Sequence, residues 1–153
     1  MIDLKFTVQA RIQKTVSEVF DAVYNPEKLS KYFVTAGASA PLDEGKTVTW
    51  EFADFPGPFP ILVIQSVKNE RLAFQWPAAN PLKSGQPYQT TVEITFEKLS
   101  QDNTLVSISE SGWEESDNGY KDSRGNSQGW MNMITCLKAY VEYGINLRQG
   151  MFK

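Results

Sequence analysis

From Val48 to Trp113 the sequence alternates apolar runs with turn signals and offers no helical stripe. This uninterrupted β region limits the fold more than any other feature. Val48, Trp50 and Phe52 alternate with Thr49, Glu51 and Ala53, after a turn at Asp43-Glu44-Gly45. Phe55-Pro56-Gly57-Pro58 reads as a turn or loop, because two prolines flank a glycine. Residues 61–67 are almost continuously apolar, and Asn69-Glu70 offers a tight hairpin into Leu72, Phe74 and Trp76. A proline-rich loop follows over 77–87. Val92, Ile94 and Phe96 then share one face of a strand over 90–99, and Ser100-Gln101-Asp102-Asn103 turns the chain into a strand over 104–113. Strands that succeed one another without helices pair antiparallel.

Helical patterns stand on both sides of this region. Leu4, Phe6, Val8, Ala10 and Ile12 alternate with polar residues and predict a first strand. Thr15 and Glu18 form a capping box for a short helix carrying Val16, Val19, Phe20 and Val23. Asn25-Pro26 starts a second, with Leu29, Tyr32 and Phe33 as its apolar stripe. At the other end Trp130, Met133, Ile134, Leu137, Val141 and Ile145 recur at helical spacing. Residues 116–126 are polar and contain glycine, so they read as a loop or a frayed start. Asn126 or Ser127 is then the cap, unless the helix begins nearer Asp117; Gly144 or Gly150 ends it. A helix of about 20 residues spans about 30 Å, enough to cross the concave side of a curved sheet. The expected class is α+β: six or seven antiparallel strands around a long C-terminal helix, in one domain over 1–153.

Composition removes many functions. There is no histidine, so no Ser-His-Asp triad, Cys-His pair or histidine-bound zinc is available. The single cysteine, Cys136, excludes an intrachain disulfide and a thiolate cluster, and accords with a reducing compartment. A net charge of −3 argues against nucleic acid, whose binders need a basic face. No apolar run is long enough to span a membrane. The opening Met1-Ile2-Asp3-Leu4-Lys5 lacks the layout of a secretory signal. The expectation is a cytoplasmic protein with no metal and no cofactor.

The order of these elements resembles the START-like (SRPBCC) superfamily and its helix-grip fold. Within it, the chain is similar to the heat-shock-protein-90 ATPase activator homologue family, including its bacterial single-domain members. The resemblance runs over essentially the whole chain. It is carried by Val19-Phe20, by Asn25-Pro26-Glu27-Lys28-Leu29 leading to Tyr32-Phe33, and by Gly45 before Trp50-Glu51-Phe52. Leu72-Ala73-Phe74-Gln75-Trp76, Asn103-Thr104 before Ser111-Gly112-Trp113, and Gly129-Trp130 before Leu137-Lys138-Ala139-Tyr140 complete it. The resemblance implies a cavity between sheet and helix, of the kind that takes lipids, sterols or polyketides, and a link to stress response. It brings no catalytic motif, and fold alone does not establish function.

Aromatics make up 12% of the chain. Trp50, Phe52, Phe74, Trp76, Phe96, Trp113 and Trp130, with Met133 and Leu137, are the candidates for a ligand-binding wall; each would serve equally to fill a core. If Val106 and Ile108 face the helix, period two turns Glu110 the same way. By the same parity Asp54 follows Trp50 and Phe52, although both carboxylates also sit where strands end. Glu110 would give a ligand polar orientation. Glu114, Glu115 and Asp117 read as a solvated acidic surface, Cys136 as a structural thiol, and Gly129 as a point of close approach between helix and sheet. The 55–60 and 77–87 loops are candidate lips of the cavity.

The expected function is binding of a small, largely apolar or aromatic molecule, without catalysis. The alternatives are an interaction module with a chaperone partner, and a cyclase- or hydrolase-like enzyme using Glu110 or Asp54 with a tyrosine. A homodimer would pair through an edge strand or through residues 146–153.

Overall fold

Strict alternation on the flanking strands and a single long apolar stripe produce one twisted sheet closed over one helix. The computed structural model describes residues 4–153, so the sequence reading of 1–3 lies outside it. The elements are β1 (Phe6–Ile12), α1 (Val16–Tyr24), α2 (Pro26–Leu29), β2 (Gly37–Ala38), β3 (Thr47–Phe52), β4 (Phe55–Val67), β5 (Arg71–Pro77), β6 (Gln89–Ser100), β7 (Asn103–Ser111) and α3 (Asp117–Tyr143). The seven strands lie in the order β1-β7-β6-β5-β4-β3-β2, each pair antiparallel. The concave face carries Ile12, Trp50, Phe74, Ile94 and Ile108, all fully buried against Met133, Ile134 and Leu137 of α3.

Both short helices begin as their caps dictate. The Glu18 backbone N–H donates to Thr15 Oγ1 at 3.2 Å, and that hydroxyl donates onward to Glu18 Oε1. The Glu27 N–H donates to Asn25 Oδ1 at 3.0 Å, with Pro26 in the first helical position. β2 has only two residues and leaves no periodic signal in the sequence.

The structure corrects some of the sequence readings and decides between the alternatives left by others. Residues 55–58 form strand rather than loop, and the turn lies at Ala53-Asp54. Pro58 and Pro60 pair with Glu51 and Thr49, whose carbonyls already accept from Ala36 and Ser39 of the β2 side. Those prolines therefore turn their missing N–H groups to the edge that β5 does not reach, where a strand tolerates them. The apolar run 61–67 alternates: Ile61 and Val63 are buried while Leu62 and Ile64 are exposed on the convex face. Helix α3 begins at Asp117, capped by Ser116, whose Oγ accepts from the Gly119 N–H at 3.0 Å. It ends at Gly144 in the left-handed conformation, leaving Ile145 outside the helix and exposed.

The polar first turns of α3 are helical because tertiary partners absorb their polar groups. Asp122 is buried and accepts from the backbone N–H and from Nδ2 of Asn80, in the loop between β5 and β6. Gly119 faces the carbonyl of Glu114 so closely that a Cβ there would sit 1.9 Å from the oxygen. Gly129, by contrast, has open space where its Cβ would be, so it brings no close approach of helix to sheet.

Tyr32 is fully buried, donates to the Ala22 carbonyl at 3.0 Å and stacks on Tyr140. Burial pushes its hydroxyl well above the ordinary tyrosine value, with the neighbouring Tyr140 and Cys136 adding to the shift. A folded-state value raised in this way leaves stability intact below the unfolded value of about 10 and removes it as pH rises beyond that. Denaturant midpoints should therefore fall above about pH 10, and less steeply in Tyr32→Phe. Parallel curves for the two proteins would contradict this.

Candidate functional site

Alternation on β7 turns Val106, Ile108 and Glu110 to the concave side, and Glu110 is fully buried there. A carboxylate in such a place needs donors. Four side chains supply them from three other elements. Trp130 Nε1 donates to Oε1 at 2.7 Å, and Trp76 Nε1 to Oε2 at 3.0 Å. The Thr90 hydroxyl donates to Oε2 at 2.6 Å, and Asn126 Nδ2 lies 3.1 Å from both oxygens. Strand register makes the meeting possible: Trp76 pairs with Thr90, and Val92, two residues on, pairs with Glu110. Asn126 and Trp130 stand four residues apart on α3 and so share its sheet-facing side.

Three of these partners, Trp76, Asn126 and Trp130, also line a cavity of about 620 Å³ between the sheet and the first half of α3. Phe33, Phe52 and Phe59 form the rest of its aromatic wall. Trp76 and Trp130 lie 5.3 Å apart by ring centroids, and Phe33 meets Phe52 edge to face at 5.0 Å. Phe55 and Phe152, each about half exposed, face one another across the mouth at 6.2 Å.

The far side of the cavity is held by Arg148, in the segment after α3. Its Nε and Nη2 each lie 3.0 Å from a carboxylate oxygen of Asp54, in the β3–β4 turn. The guanidinium carbon also sits 5.1 Å from the Phe52 and Phe152 ring centroids and 5.5 Å from that of Phe33. Arg148 thus ties the C-terminal segment to the cavity wall by an ion pair and the faces of Phe33 and Phe52. Replacing Arg148 with Met should cost about 3 kcal/mol, because Asp54 is left without its cation in a place only 11% exposed. Adding Asp54→Asn should recover part of that loss, measured by denaturant unfolding. A single variant as stable as the parent would sink this account of the segment.

The sequence candidates therefore divide. Phe52, Trp76 and Trp130 line the cavity. Trp50, Phe74, Met133 and Leu137 are fully buried in the core beyond it. Phe96 packs edge to face on Phe20 of α1, and Trp113 stacks on Phe6 of β1. Glu110 lies behind the wall and bonds the residues that form it. Asp54 is consumed by Arg148. Of the expected lips, Phe55, Phe59 and Ala79 do border the cavity. Phe33, Asn126, Arg148, Met151 and Phe152 were not among the site candidates read from sequence, and Thr90 was missed as a partner of Glu110. The near-perfect alternation that turns Glu110 inward also turns Thr90 inward, so that signal was present; for Arg148 there was none. Cys136 is fully buried, and burial pushes its thiol up, against a smaller opposing effect of the Arg148 charge. That is a structural thiol rather than a nucleophile.

A curved antiparallel sheet gripping one long helix, with an aromatic cavity left between them, is the helix-grip arrangement of START-like domains. The family model described as activator of Hsp90 ATPase homolog 1-like protein matches residues 13–142, and the chain belongs to that family. Among solved structures it is similar to protein SSP2350 of Staphylococcus saprophyticus, at 24% identity and a TM-score of 0.75, over 94% of this chain and 96% of that one. It is similar to DynU16, described as a putative protein in the dynemicin biosynthetic locus, at 22% identity and a TM-score of 0.78. That match takes in 95% of this chain but 49% of DynU16. A third, the Aha1 dimer of Colwellia psychrerythraea, shares 21% identity at a TM-score of 0.73, over 94% and 98% of the two chains. No curated protein matches the sequence. Among the described residues no helix is long and apolar enough to cross a membrane.

Proposed function

We propose that this protein binds a small, largely aromatic molecule in the cavity between the sheet and α3, and holds it without transforming it. The observation that carries this reading is the cavity itself: about 620 Å³ walled by Phe33, Phe52, Phe59, Trp76 and Trp130. That volume and that kind of wall are usual for a small-molecule site. Flat ring systems fit between aromatic faces better than a flexible acyl chain does. The same fold in a protein of the dynemicin biosynthetic locus supports a polyketide-like class of occupant. The two carboxylates nearest the cavity speak against catalysis, since Glu110 is taken by four donors and Asp54 by Arg148. The lone, buried Cys136 suits the reducing interior of the cytoplasm.

A thermal-shift screen with polycyclic aromatic polyketides, flavonoids, fatty acids and sterols tests the proposal. A ligand at about 100 times its dissociation constant adds about 2.7 kcal/mol, which is a rise of about 5–10 °C for a domain of this size. A rise confined to the flat aromatics supports the reading. No rise with any class, after copurified ligand has been stripped, refutes it.

A second reading, self-association, is favoured by the apolar side chains displayed after α3. Ile145, Leu147, Met151 and Phe152 are each at least 40% exposed within a few residues of one another. A homologue from Colwellia psychrerythraea is described as a dimer. Sedimentation at micromolar concentration decides this: a dimer that Leu147→Glu dissociates supports pairing through the segment, and a monomer excludes it.

A further inference from the structure

Building on the cavity reading, we infer that residues 145–153 form a strap across the mouth of the cavity. It swings away from a pivot at Gly144 when the Arg148–Asp54 pair opens, and so admits and releases the ligand.

Few ties hold this segment. The Ile145 N–H donates to the Ala139 carbonyl of α3, the Gln149 N–H to Asn146 Oδ1 and the Met151 N–H to the Arg148 carbonyl. Among the described residues, only Arg148 joins the segment by a hydrogen bond to anything beyond α3, and its partner is Asp54. Ring contacts add Arg148 on Phe33 and Phe52, and Phe152 on Phe55. The helix before it stops at Gly144, whose left-handed backbone turns the chain out of α3.

Packing does not make up for the missing ties, because the segment stands between two hollows. Through Arg148, Met151 and Phe152 it borders the aromatic cavity. Through Asn146, Gln149 and Lys153 it borders, with Thr35 and Ala53, a smaller hollow of about 220 Å³. Arg148 and Asp54 both border that second hollow, so the catch itself has space beside it. Ile145, Leu147, Met151 and Phe152 stay at least 40% exposed. A segment with few buried apolar contacts and one polar tie opens by itself, far below the free energy of global unfolding. Lifting it removes three side chains from the cavity border and leaves the aromatic wall of the sheet and α3 in place.

Cys136 reports this motion without any ligand. It is the one cysteine of the chain and is fully buried. Its thiol lies 4.0 Å from Oδ1 of Asn132 on the cavity border, and within reach of the Arg148 charge. In the parent protein, labelling of Cys136 by a thiol reagent should keep one rate as urea is added below the unfolding transition, since lifting the strap exposes little surface. Asp54→Asn should label at least about ten-fold faster and with the same indifference to urea, the usual effect of losing a hydrogen bond to a charged group. Phe152→Ala, which strands no charge, should act in the same direction by less. Stopped-flow mixing with 2-naphthol, followed by tryptophan fluorescence, should show association and dissociation both quickened in Asp54→Asn. Labelling that climbs with urea in step with global unfolding, in all three proteins, would overturn the strap whatever the cavity holds. Local labelling together with identical 2-naphthol rates in parent and variants would overturn its part in ligand entry. An absent naphthol signal counts against the cavity reading alone, and the labelling still decides the strap.

Discussion

Glu110→Gln should unfold about 6–12 °C below the parent protein, a loss of roughly 3 kcal/mol. The substitution is nearly isosteric, so packing is preserved and the hydrogen bonds decide the result. An amide offers one acceptor and one donor where the carboxylate offers two acceptors. If the new NH₂ group takes the place of Oε1, it opposes the Trp130 N–H; if it takes the place of Oε2, it opposes the Trp76 N–H. Neither orientation escapes: the Thr90 hydroxyl and the Asn126 amide can turn to adapt, but the two indole N–H groups can only donate. One indole is left unsatisfied, and the charge-assisted character of the remaining bonds is gone. Glu110→Leu should cost more, since it strands all four donors. Both variants should also weaken any cavity ligand, because Trp76, Asn126 and Trp130 form its wall. A Glu110→Gln protein that melts within a degree of the parent would show that the buried cluster does not hold the wall together.

Gly119→Ala should also be damaging, by a net loss of about 2 kcal/mol and for a steric reason. The added carbon would stand 1.9 Å from the Glu114 carbonyl oxygen, 3.1 Å from the carbonyl carbon and 3.3 Å from Leu4. The nearest of these atoms is backbone, so relief requires moving the first turn of α3 or the strand exit before it. Such overpacking costs about 3 kcal/mol. Alanine's better helix propensity returns about 1 kcal/mol, which does not offset it. Gly129→Ala is the internal comparison. It meets nothing within 4 Å, and the same propensity argument predicts a gain of about 1 kcal/mol. Denaturant midpoints of opposite sign for these two variants are the expected result. Two losses of similar size would show that glycine matters here through the helix itself and not through its seat against Glu114.

These two residues also show what was legible in the sequence. Period-two alternation through Val106 and Ile108 was enough to turn Glu110 inward, because it needs only the strand's own geometry. The same holds for the caps at Thr15 and Asn25, whose partners lie two or three residues away. What could not be read was everything that depends on register between distant segments. Four tryptophans look alike in sequence, yet only Trp76 and Trp130 reach Glu110. Trp50 and Trp113 bury their indole N–H groups with no acceptor among the described residues. The start of α3 was obscured because Asp122 and Gly119 favour a loop locally, and only Asn80 and Glu114 make a helix of them. Arg148 lies past the end of α3 and meets Asp54 from across the fold. The prolines of β4 argue for a loop until the open edge beside them is known.

On the proposed function, an aromatic molecule occupies the cavity bordered by Phe52, Trp76, Trp130 and Arg148. An NMR titration following backbone amides and the four indole N–H signals tests it most directly. With a binding naphthoic acid or flavonoid, the account predicts shifts of the Trp76 and Trp130 indoles and of the 125–132 and 148–152 amides. The Trp113 indole, stacked on Phe6 away from the cavity wall, should stay in place. Shifts confined to surface positions outside this set, or none at saturating ligand, would contradict it.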